Sequence, residues 1–179
     1  MRRDNSGMGM RWVERKFHFD LPVEFFPAVL ERLRGAPVRL EEKVQGVRSE
    51  ILTRRPDGAW SAQEHAGHLL DLDELHTARL EDYRTGAKTL RPADITNRKT
   101  WDADFNKRPL PDILSHFRRD RTNFVHVLEN WDPSRIGDSA VHPRLKQPMR
   151  LIDMAVFVAE HDDHHLACMT ELIRRFSAK

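Results

Sequence analysis

Residues 160–172 read EHDDHHLACMTEL, which packs His161, His164 and His165 into five positions with Asp162 and Asp163 between them. The flanking residues 154–159 (MAVFVA) and 166–169 (LACM) are apolar, so the stretch belongs inside a helix. Positions three, four and seven apart share a helix face. The row through His161 therefore reads Met154, Val158, His161, His165, Cys168, Leu172, while Asp162 and His164 fall off it. Two imidazoles thus lie in an otherwise apolar stripe. A buried imidazole needs a hydrogen-bond partner or a metal ion. A pair one turn apart offers two nitrogens to one ion, but two ligands bind weakly and a third must come from elsewhere. On this stretch alone, two satisfied core or interface histidines explain the pattern equally well.

Upstream, Ser61-Ala62-Gln63-Glu64 has the form of a capping box, in which the Ser hydroxyl and the Glu carboxylate satisfy each other's backbone amides. The helix it starts is expected to run to about Arg84 and stop near Gly86. One of its rows holds Glu64 or His65, then His68, Leu72, Leu75 and Arg79, so His68 is a third imidazole on a core-facing stripe. Together, His68, His161 and His165 give three nitrogens. That is the count of a catalytic metal site, which keeps a position for water or substrate, whereas structural zinc sites are usually closed by cysteines.

The remaining punctuation defines two more principal helices. Asp20 before Leu21-Pro22 predicts a helix start, with Phe25, Phe26, Val29, Leu30 and Leu33 at helical spacing until Gly35, and Pro37 opening a continuation. Pro111 opens a helix whose stripe reads Ile113, Phe117, Asp120, Phe124, Leu128, Trp131. Asp120 interrupts that stripe and is read as paired with an Arg at its edge, with a site role as the alternative. Segments 86–109 and 132–148 hold the prolines and glycines of irregular crossing loops, the first with room for a helical turn, and the last helix is expected from about Met149 to Phe176. Strand-like alternation is nearly absent. The expected class is all-α, a four-helix bundle with two longer connections over residues 20–179, preceded by a loosely ordered extension over 1–19.

Bulk properties narrow the function. Thirty Lys and Arg balance 28 Asp and Glu in 179 residues, a formal charge of +2 that argues for neither a nucleic-acid nor a membrane partner. The Arg clusters at 54–55, 118–121 and 174–175 read as solvated helix faces. A single cysteine, Cys168, excludes an intramolecular disulfide and makes a reducing, cytoplasmic setting the default. Neither a signal peptide nor a membrane span is expected.

Two motifs resemble a known family. Trp60-Ser61-x-x-Glu64-x-x-x-His68-Leu69-x-Asp71 and His161-Asp162-x-His164-His165-Leu166 match the patterns of the DinB/YfiT-like superfamily, and His142-Pro143 is similar as well. The resemblance, over about residues 20–176, implies a four-helix bundle in 1-4-2-3 order, often a homodimer. It also implies a divalent metal on three histidines, which map onto His68, His161 and His165. Some relatives are S-transferases or isomerases that use a low-molecular-weight thiol such as bacillithiol or mycothiol, and hydrolase activity is ascribed to others.

The expected function is metal-dependent chemistry on a small-molecule substrate with zinc or nickel, by thiol activation and S-transfer or by hydrolysis with metal-bound water. A non-catalytic, metal-stabilised or metal-sensing protein is the alternative. Where relatives often carry Gln, this chain has Cys168, either an extra ligand or a small core residue. Glu64, His164 and Asp120 are the weaker candidates for catalytic roles, and His65, His76, His116, His126 and His142 are read as surface or packing residues. A zincin would need H-E-x-x-H, and a ferritin-like di-iron site needs paired E-x-x-H motifs. Neither occurs. An HD-type phosphohydrolase would use His161-Asp162, but adjacent residues on a helix diverge by about 100°.

Overall fold

A computed structural model describes residues 10–178. The first limb is a pair of consecutive helices, α1 (Phe26–Arg34) and α2 (Ala36–Val44), joined at Gly35. Asp20 does not cap it: a 3-10 turn covers Val23–Phe25, and α1 begins where Pro27 occupies the first turn. A proline, with φ preset and no N–H to satisfy, fixes a helix start more strongly than an Asp several residues upstream. After a short helix α3 (Ser49–Leu52) comes α4 (Ala62–Arg84). Its capping box forms as read, with the Glu64 amide donating to Ser61 Oγ at 3.1 Å and the Ser61 amide to Glu64 Oε2 at 2.9 Å.

The expected crossing loop over 86–109 contains α5 (Arg98–Asp102) and a 3-10 turn at Phe105–Lys107. Helix α6 (Leu110–Glu129) follows. The loop expected over 132–148 is not irregular: β1 (Ser139–His142) pairs antiparallel with β2 (Gln147–Arg150), Ser139 opposite Arg150 and His142 opposite Gln147. Ala140 and His142 turn inward and Ser139 and Val141 outward, an alternation too short to stand out in sequence. Because Met149 and Arg150 belong to β2, α7 runs Leu151–Ser177 rather than from Met149.

The four limbs are α1-α2, α4, α6 and α7. Helix α4 packs against α6 and α7, and α1-α2 also packs against α6 and α7. The first and second limbs are therefore diagonal to each other, as are the third and fourth, which is the 1-4-2-3 order. In a simple up-down-up-down bundle the second and fourth helices would be diagonal. Here they touch, and their shared seam carries the histidines.

Two apolar cores fill the ends of the bundle. One gathers Leu30, Leu33, Leu80, Phe124, Leu128 and the first half of α7; the other gathers Leu40, Leu69, Phe105, Phe117, Met169 and Leu172. Between them lies a buried polar layer of His65, His68, Asp73, His76, Arg121, His161, Asp162 and His165. Gly67 fixes one wall of it. A Cβ there would lie 2.2 Å from the Phe105 ring, so only glycine lets the 3-10 turn close against α4, one residue before His68.

Residues 1–9 of the expected extension lie outside the described residues. Its remainder packs rather than hanging loose: Trp12 stacks edge-on against Phe157 and Phe17 at 4.9 and 5.1 Å between ring centres. No helix among the described residues is long and apolar enough to cross a membrane.

Candidate metal centre

His68 enters from α4, and His161 and His165 from α7 one turn apart. All three are buried, and each offers a nitrogen within 4.8 Å of the others. His161 Nε2 and His165 Nε2 face each other at 3.0 Å. Two lone pairs that close repel unless a proton or a cation lies between them. Nitrogens each about 2.0–2.1 Å from one zinc ion in a tetrahedron would be about 3.3 Å apart, so the observed spacing fits a shared ion with little movement.

Hydrogen bonds behind the rings set their tautomers. The Thr100 hydroxyl donates to Asp71 Oδ2 at 2.9 Å, so its oxygen is left to accept from His68 Nδ1 at 3.0 Å. His68 then carries its proton on Nδ1 and presents the Nε2 lone pair. His165 Nδ1 lies 2.7 Å from His65 Nδ1, where one ring must donate. With His165 as donor, its Nε2 is again free to bind an ion. Outer partners of this kind fix ligand orientation in metal sites.

Burial is the first cause holding all three rings neutral. It pushes His68 down to about 3 and His161 and His165 well below the usual imidazole value, with neighbouring imidazoles adding to the effect. Their lone pairs are therefore available at neutral pH with no proton to displace. Trp60 covers His68 at 4.6 Å between ring centres, and Trp12 covers His161 at 4.9 Å. A cavity of about 440 Å³ opens from the cluster, walled by Trp12, Leu72, Leu75, Ile95 and Phe157.

A family model described as the DinB superfamily matches residues 32–169. The chain belongs to the DinB superfamily. Among solved structures it is similar to YfiT from Bacillus subtilis, described as "a probable metal-dependent hydrolase with an unusual four-helix bundle topology". The two share 22% identity over 92% of this chain and 94% of that one, at a TM-score of 0.77, a likeness of fold. No curated protein matches the sequence.

Of the other site residues read from the sequence of this DinB chain, Glu64, Asp120 and Cys168 fall away from the cavity and His164 lines it. Glu64 is fully occupied by the Ser61 amide and by Arg55, and it does not line the cavity. Asp120 is half-exposed and pairs with Arg119 at 2.8 Å. Cys168 does not line the cavity; its sulfur is 3.9 Å from His164 Nε2, on the side of α7 that i, i+4 spacing from His164 defines. His164 does reach the cavity wall, and its Nδ1 accepts from Arg15 at 3.3 Å. Burial and then Arg15 push it down to about 4.

Three readings are corrected. His65, His76 and His142 are not surface or simple packing residues, since all three are buried and line the cavity. Arg121 is not part of a solvated face: only 1% exposed, it bridges Asp73 on α4, at 2.7 Å, and Asp162 on α7. Asp162, off the sequence stripe, is fully buried by that bond, and desolvation pushes its carboxyl up to about 6 against the pull of Arg121. The signal for Arg121 was present. Phe117, Arg121, Phe124 and Leu128 are spaced four, three and four, as good a row as the one through Asp120.

Proposed function

We propose that this DinB protein is a metal-dependent enzyme acting on a small molecule, with a divalent ion held by His68, His161 and His165. The observation that carries the reading is the pair of Nε2 atoms facing at 3.0 Å on the wall of an open cavity. Buried nitrogens that satisfied one another would need no cavity. A structural ion would be closed in by further ligands, and no fourth His, Cys, Asp or Glu joins the group among the described residues.

A divalent ion at this place supplies Lewis-acid chemistry, polarising a substrate oxygen or acidifying a bound water or thiol. The chain's own residues do the rest. Thr100 and Asp71 hold the His68 proton on Nδ1, and His65 fixes the ring of His165. The Trp12 and Trp60 rings keep bulk water from the cluster, and the apolar wall at Leu72 and Leu75 receives the substrate body. Hydrolysis is the favoured reaction, in keeping with the description of YfiT. Zinc and nickel are the favoured ions, since neutral imidazole suits both.

The test is elemental analysis of untagged protein together with hydrolysis of an ester, amide and phosphoester panel by wild type and His165→Ala. The reading predicts about one transition-metal ion per chain and turnover that both His165→Ala and chelation abolish while the fold survives. A metal-free protein, or turnover indifferent to the substitution, defeats it. A rate that appears only on adding a low-molecular-weight thiol would replace hydrolysis by S-transfer at the same centre.

A further inference from the structure

The far end of the cavity from the histidines is built of cationic donors that lack acidic partners. Arg79, on α4, is only 2% exposed, yet its guanidinium bonds one neutral acceptor, the carbonyl of Arg91, at 3.1 Å through both Nε and Nη2. The carboxylate within Coulombic reach, Asp82, is taken up bidentately by Arg91. Arg144, in the turn after β1, gives Nη1 to the carbonyl of Val13 at 3.0 Å, while its Nη2 is buried without a partner. His142 Nδ1 accepts from the Leu145 amide at 3.2 Å. The neutral ring must then carry its proton on Nε2, and that atom too is buried without a partner.

All three side chains line the same cavity, and neither arginine forms an ion pair among the described residues. Leaving buried donors unpaired costs about 1–3 kcal/mol each, more when charged. Such a cluster persists where a ligand completes it. The one acidic side chain on this wall, Asp94, is bound to Thr96 and to the Arg98 amide.

We propose that Arg79, Arg144 and His142 form an oxyanion subsite, so that the cavity takes an elongated small molecule with an apolar body and a carboxylate or phosphate at the end remote from the histidines. The Cα atoms of His68 and Arg79 are separated by about 16 Å along α4, with Leu72 and Leu75 on the wall between them. That span fits a chain or ring system of drug-like size, anchored by its charge at one end with its reacting group at the other. The subsite stands whether or not the histidines hold a metal.

Isothermal titration calorimetry with octanoate, octyl phosphate and 1-octanol tests it, on the protein as purified and again after chelation. One or both anions should bind about tenfold or more tighter than the alcohol, as charge-assisted hydrogen bonds require; which anion does so separates carboxylate from phosphate recognition. Arg144→Gln and Arg79→Gln should erase that preference while leaving octanol affinity unchanged, and chelation should leave the preference in place. If Arg79→Gln does not fold, Arg144→Gln decides, since its side chain sits at the half-buried turn. The proposal is overturned if octanol binds as tightly as the anions, if the preference survives the arginine substitutions, or if it vanishes on chelation instead.

Discussion

The polar layer has two halves that are equally buried and behave as opposites. On one side Arg121 sits between Asp73 and Asp162; on the other, His68, His161 and His165 converge. Both halves draw on α4 and α7, and Asp162 is the residue next to His161. The first half is matched in charge, with a guanidinium between carboxylates on two further helices, although Arg121 Nε and Asp73 Oδ2 have no hydrogen-bond partner. The second leaves like atoms facing each other and opens onto a cavity. Buried charge matched by opposite charge ties the bundle together, whereas like atoms left facing each other beside a cavity point to a ligand.

The largest effect expected from that contrast is on stability. Arg121→Met strands two buried carboxylates and should cost about 3–5 kcal/mol in denaturant unfolding, as breaking a buried ion pair does. A cost under about 1 kcal/mol would mean the triad does not interlock the helices. His165→Ala, in the open half, should cost less, about 1–3 kcal/mol, yet remove metal binding. Chelation of wild type should lower its melting temperature and leave that of His165→Ala unmoved, because an ion stabilises only the form that binds it.

A smaller effect is expected behind the ligands. Thr100→Val breaks the relay from Asp71 to His68 and should weaken metal affinity by about 10–100-fold, measured by competition with a chromogenic chelator, with little change in melting temperature. Unchanged affinity would reduce Thr100 to a packing residue. The smallest lies outside the layer, at the Asp82–Arg91 pair that keeps Arg79 without a carboxylate. Burial raises the Asp82 carboxyl, but bonds from the Arg91 side chain and amide outweigh it, leaving the value lowered. Its contribution is therefore present above the ordinary carboxylate range and is lost as pH falls through the depressed folded value. Asp82→Asn should flatten that acid limb and cost about 1 kcal/mol or less at neutral pH.

Several features are legible in the sequence itself. The capping box at Ser61 and Glu64, the α4 row carrying His68, and the His161–His165 pair each rest on local geometry, which the chain encodes within a few residues. The choice between Asp120 and Arg121 was not legible, because both continue a helical row and only the neighbouring helices decide which faces inward. The hairpin at 139–150 was hidden for another reason: four-residue strands give too few alternations to read.

By itself, then, the sequence determined that four principal helical limbs exist and which imidazoles share a face, because helical periodicity and capping are short-range. Tertiary structure alone decided that α4 lies beside α7 rather than diagonal to it, that His65 backs His165, and that Arg79, His142 and Arg144 share one cavity. Those are meetings of residues distant along the chain. They follow from how the limbs pack and the connections cross, and no local pattern records either.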